Sequence, residues 1–139
     1  MHVKQVIVMR RKFPKTDGTN QGMRRGKEIA QGSHASGAWA LECIKALLSG
    51  APHAMCISPQ ALEWITNGKM TKATVYVDTE EELLEIYRKG MMGSTHPPCH
   101  LITDSGKTEF DGKPTNTCLA IGPDDAEVVD AITGHLPLY

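Results

Sequence analysis

Lys27, Gln31 and His34 stand at i, i+4 and i+7 of the stretch Gly26-Lys27-Glu28-Ile29-Ala30-Gln31-Gly32-Ser33-His34. A helix advances about 100° per residue, so a helix here stacks the three on one face. An ammonium, an amide and an imidazole in one row near an electropositive helix start suit an anion or a polar ester. The same row also fits a polar helix face turned to water, and spacing alone does not separate the two readings. A second polar cluster, Asp104-Ser105-Gly106-Lys107-Thr108, follows an apolar run. Strand ends in α/β sheets carry binding groups, which makes Asp104 a candidate for chemistry. Asp before Ser-Gly also caps turns, and Thr108 and Thr117 also fit ordinary strand positions.

Charge is unevenly spread. Arg10, Arg11, Lys12, Lys15, Arg24, Arg25 and Lys27 gather in one stretch against Asp17 alone, while the net charge of the chain is −1. That balance excludes a protein coated in basic surface, yet a local basic patch still binds phosphates. A solvated loop is the plain alternative. The run Gly22 to Lys27 is not a phosphate-binding P-loop: only three residues separate Gly22 from Gly26, and Glu28 stands where Ser or Thr must hold magnesium. The four cysteines, Cys43, Cys56, Cys99 and Cys118, form no CxxC pair and read as reduced thiols, several of them buried. His96, Cys99 and His100 lack a usual ligand spacing, so no metal and no cofactor is expected.

These groups need a frame, and the pattern of the 139 residues supplies one domain, 1–139. Residues 4–10 read as a buried strand because their centre is continuously apolar. A loop follows over 13–22, then a helix over 26–48 whose inner stripe is read as Ala30, Ser33, Gly37, Ala40, Leu41, Ile44, Leu47 and Leu48. Gly37 and Ala40 would let that helix approach a sheet closely. Ser58-Pro59 starts a second helix with Leu62 and Ile65 facing inward. A strand at 72–77, an acid-capped helix from Asp78 to Gly90, strands at 99–103 and 117–121 and a last helix at 125–133 complete the chain. The order β-α-α-β-α-β-β-α predicts an α/β fold, a single layered domain with a mixed sheet and an antiparallel final strand pair. No run of about 18 apolar residues occurs, and the first residues lack a signal-peptide layout, so a cytoplasmic protein with no membrane partner is expected.

The ordered set of motifs resembles one family, the type 2 (archaeal and eukaryotic-type) peptidyl-tRNA hydrolases. It rests on Lys4-Gln5-Val6-Ile7-Val8-Met9-Arg10, on Gly26-Lys27 with Ala30-Gln31 and His34-Ala35, on Trp64 with Asn67-Gly68, and on Leu101-Ile102-Thr103-Asp104-Ser105-Gly106-Lys107-Thr108. Ile121-Gly122-Pro123 and Thr133-Gly134-His135-Leu136 resemble the closing segments. Four features depart from the family: a longer loop from Lys12 to Arg25, Glu109 where Gln is common, one extra residue between Lys107 and Thr117, and a net charge lower than that of many members.

The resemblance implies a four-stranded mixed sheet flanked by about four helices, often as a homodimer. It also implies hydrolysis of the ester joining a peptide to the 3′ ribose of tRNA. The residues matching those linked to activity are Lys27, Asp104, Thr108 and Thr117, with Gln31 and His34 nearby. On that reading Asp104 holds the water as base or orienting group, and Lys27 neutralises the oxyanion or the terminal phosphate. Thr108 and Thr117 hold substrate or water. His34 stands as an alternative base or as a hydrogen-bonded structural histidine. Arg10, Arg11, Lys12, Lys15, Arg24 and Arg25 would grip the tRNA body. The alternatives are a non-catalytic RNA- or protein-binding member of the fold and a small-molecule esterase.

Overall fold

The computed structural model describes residues 2–139, the side chain of Ala54 excepted. The chain runs β1 (Val3–Arg10), β2 (Phe13–Pro14), β3 (Asn20–Gln21), α1 (Arg25–Leu48), α2 (His53–Cys56), α3 (Pro59–Thr66), β4 (Lys72–Val77), α4 (Glu80–Gly90), β5 (Cys99–Asp104), β6 (Thr115–Asp125) and α5 (Ala126–Thr133). Four strands form one mixed sheet in the order β4-β1-β6-β5. β1 runs parallel to β4 and antiparallel to β6, and β6 runs antiparallel to β5. This is the expected α/β architecture and element order. The short α2 and the two-residue ribbon β2–β3, inside a stretch read as loop, are additions to it.

Alternation along the strands divides the core between the two sheet faces. Val6, Val8, Val75, Val77, Leu119 and Ile121 point to the face covered by Leu83 and Ile86 of α4 and Val129 of α5. A fully buried Leu or Ile contributes about 2 kcal/mol relative to exposure. Met9, Cys118 and Ala120 point to the other face, which α1 covers through Ala35, while Trp39 of α1 packs edge-on against Trp64 of α3 at 6.0 Å. Local chemistry sets the helix starts. Ser58 accepts a hydrogen bond from the Ala61 N–H, and Thr79 accepts one from Glu82 ahead of three glutamates in the first turn of α4.

α1 sits on the sheet with a different face from the one its apolar spacing predicts. Its buried residues are Gln31, Ala35, Trp39 and Cys43. The expected stripe points outward: Leu41 and Ile44 are each 52% exposed, Leu48 is 83% exposed, and a Cβ on Gly37 would meet nothing within 4 Å. The cause is polar docking. Buried Gln5 of β1 donates to the Ser36 carbonyl and accepts from the Ser36 hydroxyl at 2.6 Å, and buried Gln31 bonds to β6. A stripe anchored by amides escapes a hydrophobicity count. In α3 the same swap occurs: Ala61 and Trp64 are buried, and Leu62 and Ile65 are exposed.

Gly122 holds β6 against β1. Its φ is +97°, and a Cβ there would lie 2.6 Å from the Lys4 carbonyl oxygen and 3.1 Å from the Gln5 Cα. Both contacts are backbone and cannot swing aside. Gly122→Ala is therefore expected to lower unfolding free energy by about 2 kcal/mol or more, read as a reduced urea midpoint at unchanged slope.

Candidate active site

The last residue of β5 and the first turn of α1 meet beside the sheet edge. Asp104 closes β5, and Lys27 belongs to the opening turn of α1. Lys27 Nζ lies 2.7 Å from Asp104 Oδ1, with both side chains more than four-fifths shielded from solvent. Gln31 Nε2 donates to the same oxygen at 3.3 Å, and the Gly106 N–H donates to Asp104 Oδ2 at 2.9 Å. Asp104 Oδ2 thus caps the turn, while Oδ1 meets the Lys27 ammonium and the Gln31 amide. Thr108 Oγ1 is 3.5 Å from Lys27 Nζ on the open side. Gly106 has φ +79°, and a Cβ there would fall 2.1 Å from the Lys113 carbonyl oxygen, so this turn admits only glycine.

Thr117 does not face the open side. It is fully buried, and its hydroxyl donates to Gln31 Oε1 at 2.5 Å. Its partner is the Gln31 amide, which in turn bonds Asp104. A bulge makes this possible. Ile102 pairs with Cys118 but Thr103 pairs with Asn116, so Thr117 is the extra residue in β6. Neighbouring strand residues ordinarily point to opposite faces. Here Cys118 Sγ donates to the Gln31 carbonyl while Thr117 bonds the Gln31 side chain, so both reach α1.

Burial alone pushes the Asp104 carboxyl up. The hydrogen bond from Lys27, the Gly106 N–H and the charges of Lys27 and His34 outweigh that and hold it below the ordinary carboxylate value. The group is therefore ionised at neutral pH, opposite an ammonium. His34 lies on the exposed side of α1, and among the described residues its ring has no hydrogen-bond partner. The arrangement can orient a water on a carboxylate and set a positive charge where an oxyanion would form.

The expected phosphate-binding cations separate into two groups. Arg10 is only 4% exposed; its guanidinium donates to the Lys12 and Asn116 carbonyls, pairs with Glu80 and lies 4.4 Å over the Phe13 ring. Burial and these partners tie Arg10 into the fold. Arg11 pairs with Asp78 at 2.7 Å and stacks 3.7 Å over Tyr76, and Lys12 lies 3.7 Å from the same carboxylate. Arg24 is three-quarters exposed and pairs with Glu109 at 2.5 Å. Arg25 and Lys15 are exposed. Sequence reasoning noted Glu109 only as a departure from the family and did not single out Phe110, whose ring centre lies 6.0 Å from Lys27 Nζ. Only the charged, glycine-rich character of residues 104–114 hinted at them. His100 faces Glu42 at 2.8 Å, and Cys99 is buried, its thiol pushed up to about 12 by that burial.

Comparison with known proteins extends the picture. The family profile described as "Peptidyl-tRNA hydrolase PTH2" matches residues 3–139. A "Peptidyl-tRNA hydrolase" of Methanocaldococcus jannaschii is 38% identical over 98% of this chain and 99% of its own length. One of Methanopyrus kandleri is 37% identical over 97% of each. A "Probable peptidyl-tRNA hydrolase 2" of Dictyostelium discoideum is 34% identical over 98% of this chain and 54% of its own length.

The Asp104 environment sets a pH dependence. A carboxyl whose folded value lies below its unfolded one stabilises the fold above the unfolded value, near 3.8, and that contribution is lost as pH falls through the folded value. Unfolding free energy is expected to fall as pH drops below about 4. The gap between the wild type and Asp104→Asn in urea titrations should be largest near neutrality and close in acid. A gap constant from pH 6 to pH 2 contradicts this assignment.

Proposed function

The chain belongs to the peptidyl-tRNA hydrolase PTH2 family, and from that premise we propose that it hydrolyses the ester joining a peptide, or an N-blocked amino acid, to the 3′ ribose of tRNA. The observation that carries the reading is the shielded Lys27–Asp104 pair at 2.7 Å, opening toward the Thr108 hydroxyl. Such an enzyme would recycle tRNA from peptidyl-tRNA released early in translation.

An ester is labile enough to be cleaved by a positioned water without a covalent nucleophile. Asp104 accepts a hydrogen bond from the water on its remaining lone pair. The water oxygen bonds to the carbonyl carbon, and the Lys27 ammonium takes up the charge on the tetrahedral oxyanion. The carbon–oxygen bond to the ribose breaks, and the water proton ends on the 3′ oxygen. A carboxylate held below its ordinary value is a weak proton acceptor, which favours an orienting role for Asp104 and leaves His34 as the alternative base. Thr108 lies where it can contact the substrate, and Thr117 acts through Gln31. Arg24 and Arg25, with Lys15 and the partly engaged Arg11 and Lys12, supply the phosphate contacts.

Two further assignments belong to the same proposal. The outward apolar stripe of α1, with Ile29, Leu41, Ile44 and Leu48 exposed, supports a homodimer formed through that face. A cytoplasmic location fits a substrate made on ribosomes. Among the described residues no helix is long and apolar enough to cross a membrane.

Release of an N-blocked aminoacyl group from tRNA, assayed beside a small ester, tests the reading. The tRNA ester should be cleaved with far higher kcat/KM. Asp104→Asn should lose about 100-fold to 1000-fold in kcat with an unchanged circular dichroism spectrum. Near-normal turnover by that variant removes Asp104 from the mechanism, and equal rates on both esters favour a small-molecule esterase. Thr117→Val should lower kcat roughly tenfold with KM little changed, and Thr117→Ser should restore it. A purely structural threonine would move stability and leave kcat alone.

A further inference from the structure

A hollow of about 530 Å³ opens between the β2–β3 ribbon and the turn that follows Asp104. It is continuous with the candidate active site through Gly106, whose N–H binds Asp104, and Thr108, which faces Lys27. Lys15, Arg24 and Lys107 line it against the carboxylates of Glu109 and Asp111. Arg24 immediately precedes α1, and its own side chain caps none of the first N–H groups of that helix. Its guanidinium is exposed, yet its Nε is held 2.5 Å from Glu109, a carboxylate seven-eighths shielded from water. The best-placed cation of the hollow is therefore neutralised from within the protein.

We propose that this hollow seats a backbone phosphate near the 3′ end of the RNA, and that Glu109 is its built-in competitor. The proposal rests on the reading that the substrate is an RNA ester. In the free protein Glu109 holds Arg24. An incoming phosphate offers Arg24 the same geometry with more acceptor oxygens, and the guanidinium exchanges one oxyanion for the other. Glu109 thereby subtracts from RNA affinity and sets KM, without entering the chemistry.

The test compares wild type, Glu109→Gln, Arg24→Gln and the double variant on N-blocked aminoacyl-tRNA and on an N-blocked aminoacyl ester of adenosine, which has no phosphate. Glu109→Gln should lower KM for the tRNA ester roughly twofold to fivefold at low salt. It should steepen the dependence of log KM on log salt by about 0.7, as for one more phosphate contact to a single strand. The adenosine ester should show no such shift. Arg24→Gln should raise KM for the tRNA ester and cancel the effect of adding Glu109→Gln. An unchanged or raised KM in Glu109→Gln, or an equal shift on both esters, overturns the proposal. Titration with a short single-stranded oligoribonucleotide separates the two levels of inference. Failure of the wild type to cleave the tRNA ester would end the functional reading, while tighter oligonucleotide binding by Glu109→Gln would still uphold the hollow, and unaltered binding would not.

Discussion

A carboxylate at the end of an edge strand and an ammonium in the opening turn of a helix, 2.7 Å apart, fix how α1 lies on the sheet. Each charge loses hydration in reaching this position, and only the other, with the surrounding donors, offsets that loss. The amide of Gln31 and the N–H of Gly106 complete the coordination of Asp104, and Thr117 and Cys118 fix Gln31 from below. The site is thus the near end of a polar seam that also docks the helix. At its far end Gln5 and Ser36 repeat the device. Removing one member of such a seam strands the others, so the geometry is held by mutual satisfaction more than by any single bond.

The same polar seam explains what the sequence revealed and what it hid. Strand and helix order followed from apolar runs, caps and breakers, and the boundaries of β4 match the expected ones because Thr74, Val75, Tyr76 and Val77 are strong strand formers. Lys27 and Asp104 were legible singly, as charges at a helix start and a strand end, and as a pair only through the family resemblance. The facing of α1 was not legible, since its buried stripe contains a glutamine and its outer stripe contains the leucines. The role of Thr117 was hidden for a different reason. A bulge breaks the alternation from which strand facing is inferred, and nothing in the local composition marks it.

Cation count was a poor guide to cation availability. Arg10, Arg11 and Lys12 look like a basic run, yet acids from the β4–α4 connection and α4 meet all three. That cross-chain neutralisation is consistent with a net charge of only −1 in a protein that handles a polyanion. Of that basic stretch Lys12, Lys15, Arg24 and Arg25 stay exposed, and Lys15 and Arg24 line the hollow beside the turn that follows Asp104.

The extra residue in β6 has an evolutionary corollary. Side chains along this strand drift by substitution while each neighbour adjusts, but chain length at this one point is quantised. Loss of a single codon there would restore regular pleating and rotate the Thr117 hydroxyl to the wrong side of the sheet, with every hydrophobic contact farther along left in place. Such a lineage would keep its sheet and apolar core but strand the buried Gln31 amide, so a catalyst could become a mere binder along this route only at a cost in stability.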